Sequence, residues 1–374
     1  MKLFKSLLVA PATLGLLAPV AATANEVTIT DFAPAEQLAI TNSRVDGLEA
    51  RLNNFEAGSF SETTTASFSV DFAVGAVDGK DVTTTITDGD EDLQAAYGFQ
   101  IDLNTSFTGE DSLDISLDAG NGATTGALAE FDLNGGDDSL KVDGVTYTFP
   151  LGSATAFVGD NTDGSMLFTT ACVYGGPSNT LDDCANVTAG ITGGGLSVGA
   201  AYDFDNGFTT AFGAQFTETG IATDETDDSY ALNTAYTADN YGASITYANV
   251  EDGAVNDTYI AFNGYYSFDN GLSISAGYEI GDLDNEPAAE DESESYFVGI
   301  NGEVGPGELG AALGTYGTME ESSGSIPDRM MYEVYYSYPV NDGMTITPLI
   351  YTVEADGATD MDETGFMVKT SFSF

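Results

Sequence analysis

The sequence contains no histidine and no tryptophan, and only 8 of its 374 residues are lysine or arginine. Without histidine, Ser–His–Asp and Cys–His nucleophile systems cannot form, and neither can His-ligated metal centres. Paired carboxylates remain possible, but 60 Asp+Glu guarantee accidental pairs, so no single pair indicates catalysis. We therefore do not expect an enzyme, and we expect no cofactor and no metal site.

The scarcity of basic residues leaves a formal net charge of −52. Such a chain repels nucleic acid and anionic membrane surfaces and attracts cations. A strongly charged chain can be disordered, but 42% hydrophobic residues with 22 Phe and 19 Tyr contradict that interpretation. The 44 glycines fit a folded β-rich chain with many turns.

Cysteine is also rare: Cys172 and Cys184 are the only two. In an oxidising periplasm or at a cell surface, a disulfide between them is the first expectation, and two free thiols are the alternative. Metal binding requires more ligands than this pair supplies.

Residues 1–24 have the pattern of a secretory signal peptide. Lys2 and Lys5 form its positive end, residues 7–22 are mostly apolar, and Ala22-Thr23-Ala24 supplies a cleavage site. A membrane anchor is the alternative, but two prolines and the cleavage site argue against it. No other stretch approaches the roughly 18 apolar residues of a spanning helix. We expect export without a helical anchor.

Residues 25–58 contain a different pattern, with apolar side chains at heptad spacing at Leu38, Val45, Leu48, Leu52 and Phe55. This spacing predicts a short amphipathic helix of about three heptads. Such a helix either forms an oligomerising stalk or packs on its own domain, and the sequence does not decide between these two interpretations.

From residue 59 to the end, apolar and polar residues alternate with the period of a β-strand. Tight-turn motifs recur at Asp205-Asn206-Gly207, Asp239-Asn240, Asp269-Asn270-Gly271, Pro306-Gly307 and Asn341-Asp342-Gly343. Longer acidic segments separate these hairpins, at residues 219–227, 251–256, 282–293 and 319–328.

Turn motifs that recur roughly every 30 to 36 residues raise the possibility of a solenoid or a propeller. Helical repeats are excluded by the period of two, and each unit is one hairpin rather than a four-stranded blade. Strands of about ten residues joined alternately by short turns and long loops are typical of outer-membrane barrels. The last strand alternates with Phe366, Phe372 and Phe374 on one face, which resembles the assembly signal of bacterial outer-membrane proteins. We predict an all-β fold, a transmembrane antiparallel β-barrel.

In such a barrel the apolar set faces lipid and the alternate set faces the lumen. That parity predicts six inward carboxylates, at Asp71, Asp102, Asp114, Asp118, Glu279 and Glu333. Rings of carboxylates favour cations in a pore, although any one of these residues is more often simply a polar position in contact with water. Residues 159–193 alternate poorly, and the sequence does not decide between a constriction inside the lumen and an outer loop. No acidic cluster has the EF-hand pattern.

Three passages resemble cyanobacterial members of the carbohydrate-selective porin B (OprB-type) family, also called iron uptake porins. They are the heptads running into residues 51–61, the hairpin end at residues 147–152, and the aromatic last strand. The resemblance implies a trimeric barrel of about 16 strands, permeable to small hydrophilic solutes. Family members often begin with an S-layer-homology domain, and residues 25–34 are too few to form one, so wall anchoring is not carried over from the resemblance.

These observations predict a signal peptide (1–24), an N-terminal segment with a coiled-coil-like helix (25–58) and an outer-membrane barrel (59–374). The predicted function is passive diffusion of small hydrophilic solutes and inorganic ions through a cation-selective lumen. The expected partners are two further copies in a homotrimer, outer-membrane lipid and lipopolysaccharide, the barrel-assembly machinery, and small solutes and cations, with no nucleic acid. The alternative is a secreted acidic all-β surface protein, calcium-stabilised and without a pore.

Overall fold

The computed structural model describes residues 63–78, 93–122, 128–131, 133–134, 138–221, 223, 227–252, 255–284, 292–320, 329–355 and 362–374. All of them belong to one compact unit, Gly58–Phe374. The predicted signal peptide and heptad helix lie outside the described residues. Within the described part of the chain, no helix has the length and apolar character to span a membrane.

Strands account for most of the described chain. They are β1 Thr64–Asp78, β2 Gln94–Thr105, β3 Ser112–Gly120, β4 Lys141–Leu151, β5 Ala154–Asp160, β6 Leu196–Asp203, β7 Phe208–Phe216, β8 Asp228–Thr237, β9 Tyr241–Asp252, β10 Val255–Ser267, β11 Leu272–Asp282, β12 Glu292–Val304, β13 Gly307–Thr315, β14 Met319–Glu320, β15 Met330–Asn341, β16 Met344–Val353 and β17 Glu363–Ser373. A 3₁₀ turn, Ala129–Phe131, lies between β3 and β4.

The strands form one closed antiparallel sheet. Each long strand pairs with its neighbours in the chain, and β1 pairs with both β2 and β17, which closes the ring. The two-residue β14 only extends the edge beside β12, and β13 pairs directly with β15, so sixteen strands form the wall. The predicted transmembrane barrel fold is confirmed. Closure leaves the described strands of this sheet without a free edge.

The five tight-turn motifs lie where the sequence predicts them, at the short connections that end β6, β8, β10, β12 and β15. The prediction of a long loop at residues 251–256 is wrong. Glu251 continues β9, Asn256 belongs to β10, and Asp252 pairs with Val255 across a two-residue connection. The acidic composition of residues 251–256 predicted a loop. The backbone pairing of β9 with β10 nevertheless continues to Asp252 and Val255, because the ends of barrel strands tolerate polar residues.

The outward face of the wall is a continuous apolar surface. Large outward side chains with about two-fifths or more of their surface exposed include Phe72, Val74, Leu232, Ile245, Phe262, Val298, Val334, Ile350 and Phe366. A soluble surface protein cannot leave such a belt in water. A closed barrel with an apolar belt satisfies every backbone hydrogen bond internally and suits a bilayer. The barrel therefore lies in an outer membrane, and the soluble alternative is not supported.

The interior contains a packed core as well as polar groups. Inward residues of β15–β17, including Met331, Leu349 and Met367, are fully buried. They pack with Leu128 and Phe131 of the β3–β4 connection and with Tyr174 and Leu181 of the β5–β6 connection. Strand parity alone predicted a polar interior, and this part of that expectation is wrong. Apolar side chains face inward here because two chain segments enter the barrel and cover them.

Candidate functional site

Residues 161–195, which connect β5 to β6 and are called the inner loop here, fold into the lumen. Four of its backbone amides donate to inward side chains on successive parts of the wall: Gly164 to Gln215 on β7 (3.3 Å), Thr169 to Asn233 on β8 (3.0 Å), Ala171 to Ser244 on β9 (2.9 Å) and Val173 to Ser275 on β11 (3.0 Å). The inner loop therefore crosses the strands from the inside. This settles the question that the sequence left open for residues 159–193.

The crossing segment ends on β12 and β15. The Asn301 side-chain amide donates to the carbonyl of Val173 at 3.3 Å, and the hydroxyl of Tyr174 donates to Glu333 Oε1 at 2.6 Å. Both Tyr174 and Glu333 are buried, at 6% and 2% exposure. Glu333 thus points inward as the strand parity predicts, but it holds the inner loop and does not contact pore water.

The returning half of the inner loop is held by Glu279, another predicted lumen residue. Its carboxylate accepts from the backbone amides of Thr188 (3.0 Å) and Ala189 (2.8 Å), and its exposure is 1%. Asn263 on β10 donates to the carbonyl of Cys184 at 2.8 Å. Glu279 is therefore an anchor inside the barrel.

Cys172 and Cys184 are joined by a disulfide with Cα atoms 6.5 Å apart. The bond links the crossing half of the inner loop to its returning half. Directly outside Cys184, the wall residue is Gly277, where an added Cβ would lie in steric overlap with the Cys184 carbonyl oxygen. The glycine allows the loop backbone to approach the sheet at this position.

The described residues 128–131, between β3 and β4, also lie inside the barrel. The Glu130 carbonyl accepts from the amide of Asn179 at 2.8 Å, and its carboxylate accepts from Thr180. Burial raises the pKa of the Glu130 carboxyl above its usual range. The ammonium of Lys369 lies 5.2 Å from the ring centre of Phe131. The two entering segments therefore support each other against the wall of β15–β17.

The wall of β2 and β3 carries three carboxylates that remain partly exposed. Asp102 accepts from Gln100 (2.8 Å) and Ser116 (2.7 Å), and Asp114 accepts from Ser112 at 2.7 Å and from Asn104. On the same strands, Asp118 lies opposite Lys141. These three predicted residues face the interior where the inner loop does not cover the wall.

Two further carboxylates join this wall, and sequence parity missed both. A register shift between β3 and β4 places Asp143 outside the simple alternation. Its carboxylate lies within electrostatic range of Asp102, Asp118 and Asp163. Asp163 belongs to the inner loop and accepts from the Gly193 amide at 3.1 Å. The Asp143-Gly144 pair inside a strand was the available sequence signal, because glycine within a strand often marks a bulge.

These side chains surround a polar recess of about 530 Å³, called the acidic recess here. Its lining includes Asp114, Asp143 and Asp163 together with Thr146, Asn161 and Gly194. Across the described residues, Lys141 is the basic side chain on this wall, and no group of three or more Cys, Asp or Glu is arranged to hold a metal ion. The arrangement provides negative charge beside open polar space.

Asp71 lies on β1, opposite Ser371 of β17, and is partly exposed on the inward face. It is separate from the acidic recess. The outward side of the same seam carries the predicted assembly residues: Phe366 is exposed, Phe372 contacts Phe72 with ring centres 6.2 Å apart, and Phe374 stacks on Phe68. The six predicted lumen carboxylates thus divide into three on the open wall, one at the β1–β17 seam and two that hold the inner loop.

The fold resembles solved porin structures. A mutant porin of Rhodobacter blastica matches with a TM-score of 0.57 and 12% identity, covering 83% of this chain and all of that one. OprB of Pseudomonas putida gives 0.58 and 11%, covering 83% and 94%, and a loop-deletion mutant of Vibrio cholerae OmpT gives 0.57 and 14%, covering 83% and 100%. These similarities show the porin fold.

In sequence, the chain is 24% identical to an uncharacterized protein, alr4550, of Nostoc sp. PCC 7120, over 94% of this chain and 74% of that protein. No family model matches. The closed sixteen-strand wall, the apolar belt and the loop folded inside define the class: an outer-membrane β-barrel with a porin fold.

Proposed function

We propose that this chain is a cation-selective outer-membrane porin through which small hydrophilic solutes and inorganic ions diffuse passively. The observation that carries the proposal is the wall around the acidic recess. Asp114, Asp143 and Asp163 line the recess, and Asp102 and Asp118 lie within electrostatic range of Asp143. Lys141 is the basic residue among the described side chains of that wall. Several carboxylates opposed by one amine give this side of the lumen a negative potential.

The charge balance of the whole chain supports the same sign. A net charge of −52 cannot be placed on the lipid face, where charged residues are destabilising. It divides between the lumen, the strand rims and the connecting loops. Walls of low dielectric constant strengthen the field inside a cleft, and salt screens it over about 10 Å at 0.1 M. Selectivity is therefore strong in dilute salt and weak in concentrated salt.

The inner loop narrows the passage without supplying a specific solute site. It is bonded to the inside of β7–β15, so the remaining space lies beside β2–β4, next to the carboxylates. Solutes pass on that side. A carbohydrate preference is part of the family resemblance, and the described lumen residues provide no particular support for it.

The assembled form that we propose is a homotrimer with the helix of residues 25–58 contributing to association. Outer-membrane lipid and lipopolysaccharide contact the apolar belt and the outer rim. The barrel-assembly machinery reads the last strand with Phe366, Phe372 and Phe374. The disulfide between Cys172 and Cys184 is consistent with oxidation after export.

The test is the reversal potential of the purified, folded protein in a planar bilayer under a KCl gradient. We expect a reversal potential whose sign shows that K⁺ permeates more readily than Cl⁻. Its magnitude should decrease when both salt concentrations are raised. An anion-selective pore, or folded protein that inserts without conductance, would contradict it.

A further inference from the structure

Asp228, the first residue of β8, has a carboxylate that is buried without a partner. Its exposure is 1%, and neither carboxylate oxygen accepts a hydrogen bond. Every other acid that is this deeply buried in the described structure, such as Glu279 and Glu333, accepts at least one hydrogen bond. An ionised carboxylate removed from water without compensation is among the most costly groups in a protein. The described side chains provide no donor or positive charge that would compensate it.

The residue opposite Asp228 makes the imbalance larger. Glu251 on β9 is its direct cross-strand neighbour, and like charges in that position repel. Strand alternation places both side chains on the outward face, as it does Tyr230, whose hydroxyl lies within electrostatic range of both carboxylates. Two negative groups and one neutral hydroxyl thus share one location on the rim of β8 and β9.

No described basic side chain is placed to balance them. Arg329 donates to the Glu354 carbonyl and covers the Tyr316 ring, Lys369 lies over Phe131, and Lys141 is on β4. A divalent cation resolves both the unpaired burial and the cross-strand repulsion in one step. The donor set contains oxygen only, which calcium prefers, and calcium accepts an irregular set completed by backbone carbonyls and water.

We propose that Asp228 and Glu251 form a calcium site on the outer rim of the barrel wall, beside the β7–β8 connection. Bound calcium fixes the start of β8 to the end of β9. This site lies on the outward face, away from the acidic recess, so its existence does not depend on ion selectivity.

Terbium luminescence is a direct probe, because Tb³⁺ replaces Ca²⁺ and the chain has tyrosine but no tryptophan as a sensitiser. The folded, detergent-solubilised protein is titrated with Tb³⁺ and then with competing Ca²⁺. We expect a saturable, calcium-displaceable signal that weakens by about tenfold or more in Asp228→Asn and in Glu251→Gln, since calcium affinity follows ligand charge. Tyr230→Phe is expected to reduce emission while leaving calcium binding in place.

The matched control is Glu294→Gln. Glu294 is also an outward carboxylate beside a tyrosine, but it is exposed and accepts from Tyr278 at 2.8 Å, so it needs no cation. This variant should bind Tb³⁺ as the parent does. Equal Tb³⁺ affinity in Asp228→Asn and the parent would overturn the proposal.

A heat-stability measurement keeps the proposal testable if a variant binds poorly because it folds poorly. Calcium should raise the unfolding midpoint of the parent and leave that of Asp228→Asn unchanged. In chelator, Asp228→Asn should be at least as stable as the parent, because it removes a buried unpaired charge. The proposal is contradicted if calcium does not change the unfolding midpoint of the parent, or if it raises the midpoint of Asp228→Asn as much as that of the parent.

Discussion

Phe374, the last residue, and Phe68 on β1 exchange two backbone hydrogen bonds, each 3.0 Å long. Their rings stack with centres 5.7 Å apart and planes inclined by 9°. This pair completes the ladder between β1 and β17, where the first and last strands of the barrel meet. The terminal aromatic therefore contributes to closure of the wall as well as to the outer surface.

Removing Phe374 should prevent normal assembly. Deletion eliminates both terminal hydrogen bonds and the ring contact, and Phe374→Asp places a charge on the apolar face, where it is destabilising. We expect both variants to be depleted from the outer membrane and degraded or retained in the periplasm, as measured by fractionation and heat-modifiability. Phe374→Tyr keeps the ring and backbone and is the control; it should assemble. Normal membrane levels of Phe374→Asp would contradict the role of this strand as an assembly signal.

Neutralising the open wall should lower cation preference without preventing folding. In a triple variant, Asp102, Asp114 and Asp118 are changed to Asn, which keeps an acceptor oxygen for the neighbouring donors. The matched control changes Asp205, Asp239 and Asp269 to Asn, which alters net charge equally at three short turns. We expect the reversal potential to fall in the first variant and to stay close to the parent value in the second. Equal effects would show that selectivity arises from total charge.

The sequence predicted the wall well because a wall strand has one repeating physical requirement. Phe72 and Val74 face outward while Asp71 and Ala73 face inward, and this alternation can be read directly from the chain. Tight turns such as residues 205–207 could be predicted from the sequence in the same way. The barrel class and the five hairpin turns therefore followed from local pattern.

The interior could not be predicted in the same way, because it depends on which connection enters the barrel. Glu279 and Glu333 hold the inner loop, and their partners are backbone amides and a tyrosine of that loop, about 90 and 159 residues away in sequence. Asp143 was missed because one β-bulge changes the parity of β4. Neither a long-range hydrogen bond nor a bulge leaves a periodic signal.

Detaching the returning half of the inner loop should widen the passage. Glu279→Ala leaves the amides of Thr188 and Ala189 buried without an acceptor, which costs about 1–3 kcal/mol for each group. We expect a lower unfolding midpoint and a larger, noisier single-channel conductance. Glu303→Ala removes an exposed glutamate at the β12–β13 turn and should behave like the parent. Unchanged conductance in a destabilised Glu279→Ala variant would show that the loop does not limit the passage.

The inner loop also contains a carboxyl group that makes its attachment depend on pH. Asp183 is partly buried and accepts from the Ala185 amide at 2.9 Å. Burial, with a smaller contribution from the charges of Asp182 and Glu279, raises the pKa of Asp183 to about 7 from an ordinary value of 3.8. The attached loop therefore holds a proton that the detached loop releases between these two values.

Because the folded state binds more protons across this interval, stability must decrease as pH rises from about 4 to 7. The contribution of Asp183 is fully present below the lower value and is lost above the higher one, and the two pKa values put it at no more than about 4 kcal/mol. We expect the unfolding midpoint to fall more steeply with pH in the parent than in Asp183→Asn, which cannot ionise. Above pH 7 the variant should be the more stable of the two, since it keeps a neutral side chain in the same place.

The pKa of Glu130 is also raised, so the unfolding midpoint of Asp183→Asn should still fall with pH, but less steeply than that of the parent. Adding Glu130→Gln should reduce this remaining pH dependence. Parallel pH profiles for the parent and Asp183→Asn would show that Asp183 is ionised, and hydrated, while the loop is attached.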